Sequence, residues 1–287
     1  MKAAVVLMAY GSPERVEDIR PYLEDIREGR PVSDAAVEEL TERYRRIGGR
    51  SPLDEITARQ RVALEAELGV PVFVGMKHWK PRIADAVEEA LGVGAQTIVG
   101  LVLAPHYSKL SIDGYRERLE AALAGRAELR FVERWGTHEP FLDVLAERVR
   151  GFAGHVVFTA HSLPARILGE GDPYQDELLE TSRLIAERAG LESWSFAFQS
   201  ASATGEPWLG PDILDELDAL HARGVERVLV CPIGFVSDHL EILWDLDVEA
   251  QERAAELGLE LARIESLNDD PAFIRGLAAL VSVPSNA

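Results

Sequence analysis

Apolar residues along this chain gather in short unbroken runs separated by longer stretches of helical spacing. The runs are Ala3 to Ala9, Val72 to Gly75, Thr97 to Ala104, Leu129 to Val132, Val156 to Ala160, Trp194 to Phe198, Val228 to Ile233 and Leu259 to Ile264. Continuous apolar runs suit strands covered on both faces, and their alternation with helical segments implies parallel sheets flanked by helices. Four runs fall on each side of 151–154. The pattern therefore predicts an α/β fold of two similar doubly wound, Rossmann-like lobes, each with a parallel four-stranded sheet, and a cleft between them. The first lobe is expected over 1–150 and the second over 151–268. A last helix within 269–287 is expected to pack back on the first lobe.

The stretch Gly234 to Glu249 stands out because a strand runs directly into a helical pattern that carries acids. Glu241, Asp245 and Glu249 are spaced four apart, which on an α-helix puts them on one side, about 6 Å up the axis per step. Like charges at that spacing repel mildly, so the row is unfavourable unless cations or protons visit it. A plainer reading competes. Asp238-x-x-Glu241 fits a capping box, with Asp238 as N-cap and Glu241 folded back onto its backbone N–H.

Composition narrows the function classes. Forty-nine acids against thirty bases give a formal charge of −19 in 287 residues, which disfavours nucleic acid and anionic membrane as partners and attracts cations. The single cysteine, Cys231, excludes an internal disulfide, a Cys-ligated iron–sulfur cluster and a zinc finger. A reducing cytoplasm is the expected setting. No apolar run approaches the roughly 20 residues of a membrane span, and Ala3 to Ala9 reads as a buried first strand rather than a signal peptide.

In doubly wound sheets ligands bind beyond the carboxyl ends of the strands. Those ends read Tyr10-Gly11-Ser12-Pro13, Met76-Lys77-His78-Trp79, Pro105-His106-Tyr107-Ser108, His161-Ser162-Leu163-Pro164, Gln199-Ser200 and Gly234 to Glu241. None is a phosphate loop. His161 could take a proton, bind a metal or merely hydrogen-bond the next turn. Sheet geometry sets its strand end on the same rim as that of Val228 to Ile233, so His161 and Glu241 can face one cleft. A base beside a carboxylate suits proton transfer or a divalent cation. His78 and His106 are expected to be hydrogen-bonded structural residues or cleft wall. His239 is expected to point away from Glu241. Tyr10 is either an axial oxygen ligand or a wedge against the next helix. Arg27, Arg30, Arg43, Arg45, Arg46 and Arg50 form a basic group that neighbouring acids could absorb, or that could receive carboxylate ligands.

Taken together these segments resemble the ferrochelatases, in their compact bacterial form, over nearly the whole chain. The resemblance is carried by Met8-Ala9-Tyr10-Gly11-Ser12-Pro13, by Arg43-Tyr44 with Ile47-Gly48-Gly49-Arg50-Ser51-Pro52-Leu53, by Gly75-Met76-Lys77-His78 and by Leu103-Ala104-Pro105-His106-Tyr107-Ser108. It continues in Ala160-His161-Ser162-Leu163-Pro164, Gln199-Ser200, Pro207-Trp208-Leu209-Gly210-Pro211 and Gly234-Phe235-Val236-Ser237-Asp238-His239-Leu240-Glu241. Such a resemblance implies a monomeric, chelatase-type enzyme that inserts Fe²⁺, its substrate, into a porphyrin for haem biosynthesis. It implies catalytic and metal-binding roles for His161 and Glu241, with Tyr10 approaching the metal from the other porphyrin face. Arg27, Arg43, Tyr44, Ser51 and Tyr115 would hold the macrocycle and its propionates. Asp245 and Glu249 would continue as an acidic track along a helix of wider turn, with room for a further divalent cation.

Metallation must remove two pyrrole protons, so the base should be neutral at working pH, and His161 qualifies if its pKa stays near or below about 6.5. Strain on the macrocycle would expose a pyrrole lone pair. The lone cysteine excludes the iron–sulfur cluster of some relatives. The chain also stops about sixteen residues past Pro271, without a hydrophobic tail. Both features resemble the soluble subgroup acting on coproporphyrin III, with four propionates, more than enzymes acting on protoporphyrin IX, with two. An iron donor and a downstream haem-pathway enzyme are the expected partners. The rivals are a protoporphyrin ferrochelatase, a non-catalytic haem or porphyrin carrier using Tyr10, and a cobalt chelatase for an earlier tetrapyrrole.

Overall fold

The computed structural model of the chain describes residues 2–202 and 205–281. Its first half runs β1 (Ala3–Ala9), α1 (Ile19–Ile26), α2 (Asp34–Arg46), α3 (Leu53–Leu68), β2 (Val72–Met76), α4 (Ile83–Gly92), β3 (Thr97–Val102), α5 (Ile112–Leu123), β4 (Glu128–Val132) and α6 (Glu139–Val149). The second half runs β5 (His155–His161), α7 (Tyr174–Ala189), β6 (Trp194–Gln199), α8 (Ile213–Ala222), β7 (Arg227–Pro232), a π-helix (Ile242–Ala250), α9 (Gln251–Leu257), β8 (Glu260–Arg263) and α10 (Pro271–Val281). Residues 282–287 of the expected terminal helix lie outside the described residues.

The strands form two four-stranded sheets, ordered β2-β1-β3-β4 and β6-β5-β7-β8, and every pairing is parallel. The two halves thus repeat one topology, as the pattern of apolar runs predicts. All seven residues of β1 are buried, because helices cover both faces of a parallel sheet and leave no side for polar alternation.

Each sheet changes direction of winding next to its central strand, between β1 and β3 in the first and between β5 and β7 in the second. The carboxyl ends of those strands are where a doubly wound sheet opens a crevice. Tyr10 and His106 follow β1 and β3, while His161 ends β5 and Gly234 follows β7.

Two helices cross between the halves. The helix α6 follows β4 but packs on α7 of the second half, and α10 follows β8 but packs on α3 and α6. Arg188 of α7 holds Glu139 and Asp143 of α6 at 2.5 and 2.6 Å. The largest apolar core reflects this exchange: Val5, Leu7 and Leu101 of the first sheet share one buried cluster with Phe158, Phe198 and Cys231 of the second, and with Phe273, Ile274 and Leu277. That core holds the two crevices in a fixed relation.

Candidate active site

A cleft of about 430 Å³ joins the two crevices. First-half residues on its wall include Tyr10, Ser12, Tyr22, Tyr44, Ser51, Lys77, His78, His106 and Tyr115. The second half contributes His161, Tyr174, Phe235, Ser237, His239 and Glu241. Aromatic and apolar walls with a few convergent polar groups are the usual form of a site for a flat organic ligand.

Two glycines let the chain run close at the cleft. Gly234 allows the turn after β7 to lie on the end of β5, where a Cβ would stand 2.5 Å from the Ala160 Cβ and 2.9 Å from its Cα. Gly11, at φ +92°, lets the Tyr10 loop lie against the His78 carbonyl, 1.9 Å from where its own Cβ would be. The Gly11 carbonyl accepts from the Tyr22 hydroxyl at 3.0 Å.

His161 Nε2 lies 3.5 Å from Glu241 Oε1, with the two side chains 31% and 37% exposed to the cleft. The imidazole's Nδ1 faces the Ser162 carbonyl, so Nδ1 carries a hydrogen and Nε2 is the nitrogen that exchanges a proton or ligand. The Tyr174 hydroxyl donates to the His161 carbonyl at 3.0 Å and steadies the strand end. Burial acts to lower the His161 pKa, but the charge and hydrogen bond of Glu241 outweigh it and raise it above the ordinary imidazole value. Burial likewise acts to raise Glu241, and is outweighed by His161 and then His239, which hold that carboxyl below the usual range. With Glu241 beside it, His161 does not meet the condition of a pKa near or below about 6.5. Without metal or porphyrin the pair holds a proton, since a carboxylate this close favours imidazolium.

His239 corrects a second expectation. Its Nε2 lies 3.4 Å from Glu241 Oε2, and its Nδ1 faces the Ser237 carbonyl at 2.9 Å. Helical phase would point it away from Glu241, but the helix starts only at Leu240, so that phase does not apply to it. The capping box is also absent. Asp238 instead accepts from Ser266 Oγ at 2.7 Å and Asn268 Nδ2 at 3.1 Å, and pairs with Arg263 at 3.1 Å. Glu241 is left free to face His161.

Beyond Glu241 the helix is a nine-residue π-helix, Ile242–Ala250, rather than the α-helix that four-residue spacing suggested. Helices bonded i to i+5 are rare beyond single turns and are frequent at functional sites. Asp245 is buried on it, accepting from Gln199 Nε2 at 3.2 Å and from the Ser200 hydroxyl. Burial first, and then the Glu241 charge, push the Asp245 pKa up to about 6 against those hydrogen bonds. Gln199 also donates to the Glu241 carbonyl at 3.4 Å. Glu249 lies a turn further on and is partly exposed. Among the described residues no group of three or more His, Cys, Asp or Glu converges as an ion cage.

A family profile described as Ferrochelatase matches residues 2–283. The chain belongs to the ferrochelatase family. It is 45% identical to the Ferrochelatase of Deinococcus radiodurans, the match covering 96% of this chain and 94% of that one. It is 39% identical to the Coproporphyrin III ferrochelatase of Geobacillus sp., covering 98% and 97%. Of solved structures, the sirohydrochlorin chelatase SirB from Bacillus subtilis in complex with cobalt matches with a TM-score of 0.64, over 98% of this chain and 94% of that one, at 12% identity. Identity that low speaks for a shared chelatase fold. This ferrochelatase is accordingly an enzyme, a porphyrin metal chelatase of the lyase class acting in haem biosynthesis, with Fe²⁺ as substrate.

The remaining expected site residues of the ferrochelatase divide into two groups. Tyr10, Tyr44, Ser51 and Tyr115 line the cleft. Tyr10 is 43% exposed to it, with its ring centroid 4.8 Å from that of His78, so it stands in the opening rather than wedged under a helix. Arg27 and Arg43 do not line it. Arg27 is exposed at the end of α1; Arg43 pairs with Glu39 at 2.8 Å and lies 5.5 Å from the Trp244 ring centre. The basic group is largely absorbed by acids, Arg46 by Glu252 at 2.6 Å and Arg50 by Glu55 at 2.7 Å.

His78 hydrogen-bonds Asp25 at 3.1 Å. His106 pairs with Thr181 at 2.9 Å across the halves, and burial pushes its pKa down to about 3. Both also line the cleft. Sequence reasoning passed over Tyr22, Tyr174, Phe235 and Lys77 as site residues, although Lys77 and Phe235 stand in the strand-end segments it singled out.

Proposed function

We propose that this ferrochelatase acts on coproporphyrin III and releases iron coproporphyrin, with His161 and Glu241 handling the metal and the pyrrole protons. The observation that carries the roles is the 3.5 Å approach of His161 Nε2 to Glu241 Oε1 in the cleft that Tyr10 also lines. Fe²⁺ accepts imidazole and carboxylate ligands, and a dication replaces the proton that the pair shares when the site is empty. As Fe²⁺ passes from the pair to the macrocycle it displaces two pyrrole N–H protons: one returns to the freed His161 Nε2, restoring the shared proton, and the other leaves by way of Asp245 to solvent. Asp245, within one helical turn of Glu241 and with its pKa pushed up to about 6 by burial and the Glu241 charge, receives protons or metal in transit. A further divalent ion beside Asp245 and Glu249 belongs to the same reading, and isothermal titration with Mg²⁺ on wild type and Glu249→Gln tests it.

Tyr10 faces the macrocycle from the first half. Tyr44, Ser51 and Tyr115 hold its edge, and Arg27 and Arg43 engage propionates at the rim once a substrate bridges the distance. Coproporphyrin III is favoured because relatives bearing that name match over nearly their full length, while more similar relatives are named Ferrochelatase without a substrate. Protoporphyrin IX is the second reading. Anaerobic Fe²⁺ insertion into the two porphyrins separates them: faster turnover of coproporphyrin III is expected, and a clear preference for protoporphyrin IX overturns the choice. A non-catalytic carrier would lose no activity in His161→Ala. The reading further makes the protein a cytoplasmic monomer that receives iron from a donor and passes its product to the next haem-pathway enzyme. Sedimentation velocity tests the monomer.

A further inference from the structure

In a chain of formal charge −19 a cation readily finds an acid, and Arg43, Arg46, Arg59, Arg82 and Arg116 each have one. Lys77 and Arg118 are different. Among the described residues neither makes an ion pair, yet they lie side by side. A Cβ placed on Gly114 would be 3.0 Å from Lys77 Nζ and 3.4 Å from Arg118 Nη1, so both cations converge on one point, which glycine leaves open. Lys77 lines the cleft. Its backbone N–H bonds the Ala9 carbonyl at 2.9 Å, next to Tyr10. The ammonium donates to the Ser111 carbonyl at 3.0 Å and lies 4.9 Å from the Tyr115 ring centre. Arg118 Nη1 donates to the Gly114 carbonyl at 3.0 Å.

Two adjacent, half-buried cations that make no ion pair among the described residues repel one another and have lost hydration. Burial, then Arg118, push the Lys77 pKa down to about 8 against the weaker opposing charge of Glu117. An arriving anion relieves both penalties.

We propose that Lys77, backed by Arg118, forms a carboxylate subsite on the first-half wall of the cleft, which receives a porphyrin propionate directed inward rather than toward solvent. The proposal rests on the four-propionate reading of the substrate. A tetrapyrrole with a propionate on every pyrrole turns a carboxylate toward the wall in any orientation, and an unpaired buried carboxylate is strongly disfavoured. A porphyrin whose two propionates are neighbours keeps both at the mouth and does not need this pair. The subsite therefore sets specificity as well as adding affinity.

The test is a fluorescence titration of the full-length protein with metal-free coproporphyrin III and with the two-propionate mesoporphyrin IX, for wild type, Lys77→Met and Arg118→Met. Losing one charge-assisted contact is expected to weaken coproporphyrin binding about tenfold in Lys77→Met. Mesoporphyrin binding should change less than about twofold. Arg118→Met should act in the same direction by a smaller factor. Because Arg118 is only partly buried, its variant decides the matter should Lys77→Met fail to fold. Equal weakening of both porphyrins marks a structural role and overturns the subsite, as does an unchanged coproporphyrin affinity. Wild type separates the two levels of the argument. A wild-type preference for the two-propionate porphyrin defeats the substrate reading, whereas a coproporphyrin preference that survives both variants defeats the subsite alone.

Discussion

His161 differs from an ordinary strand-end histidine in the company of its Nε2. Glu241 faces that nitrogen with one carboxylate oxygen and His239 with the other, so a proton has a chain of three groups to share it. Replacing Glu241 by Gln removes the charge that opposes burial, and the His161 titration midpoint should fall relative to wild type. NMR of the imidazole Cε1–H resonances checks this, and an unmoved midpoint would mean that the pair is not coupled. Loss of a positioned proton-transfer group costs about 10²- to 10⁴-fold, so Fe²⁺ insertion by Glu241→Gln should fall within that range.

The same pair makes stability depend on pH with a definite sign. His161 has a raised folded pKa, so its contribution is fully present below about pH 6.5, the unfolded value, and is lost as pH rises through the folded value. Glu241 has a lowered folded pKa, so its contribution is present above about pH 4.5 and is lost on acidification. The urea midpoint of wild type should exceed that of Glu241→Gln most between about pH 5 and 6.5 and converge on it at alkaline pH. Both side chains open to the cleft, so water keeps the difference to about 1 kcal/mol or less.

At the scale of elements, the π-helix and the turn that precedes it decide where Glu241 stands. The turn leaves β7 and doubles against β5, with the Gly234 N–H bonding the Thr159 carbonyl at 3.1 Å. Gly234→Ala would drive its methyl into Ala160, 2.5 Å away, so one of the two strand ends must shift. Overpacking of this kind costs about 1 to 3 kcal/mol. A matching drop in the urea midpoint is expected, together with an insertion rate that falls further than stability alone explains. Full activity in a stable variant would mean that the His161 to Glu241 distance tolerates the shift.

Strands were legible in the chain because burial on both faces leaves unbroken runs such as Val228 to Ile233, and the strand ends then pointed to His161 and Glu241. The π-helix was not legible from residue spacing, since acids four apart fit an α-helix equally well. What distinguishes it is tertiary: Trp244 lies between Arg43 and Arg46 of α2, 5.5 and 5.3 Å from the guanidinium carbons, and Asp245 is held by Gln199 and Ser200 at the end of β6. His239 escapes helical phase for a related reason, because the helix begins at Leu240, one residue after it.

At the scale of the whole molecule, the repeated topology suggests two units that open and close, yet the packing argues for one. Val5 and Leu101 of the first sheet, Phe158 and Phe198 of the second, and Phe273 and Leu277 of α10 belong to the same buried cluster. The helices α6 and α10 are exchanged between halves, so neither half completes its own cover. Polar ties close the two sides of the cleft: Gln60 bonds Ser237 Oγ at 2.9 Å and the Asn268 carbonyl at 2.7 Å, while Asp172 accepts from Ser108 Oγ at 3.0 Å and the Lys109 N–H at 2.8 Å. A half that lost its partner would expose this shared apolar surface and leave Gln60, buried in a helix of the first half, without acceptors. Intermediates with one half folded are therefore disfavoured, although multidomain chains of this size commonly populate them. Urea unfolding should be a single transition in which far-UV circular dichroism and tryptophan fluorescence coincide, Trp135 reporting on the shared core and Trp244 on the π-helix. Two separated transitions would mean that the exchanged helices fold with their sequence neighbours, and that the cleft is a joint between independent domains rather than a groove in one body.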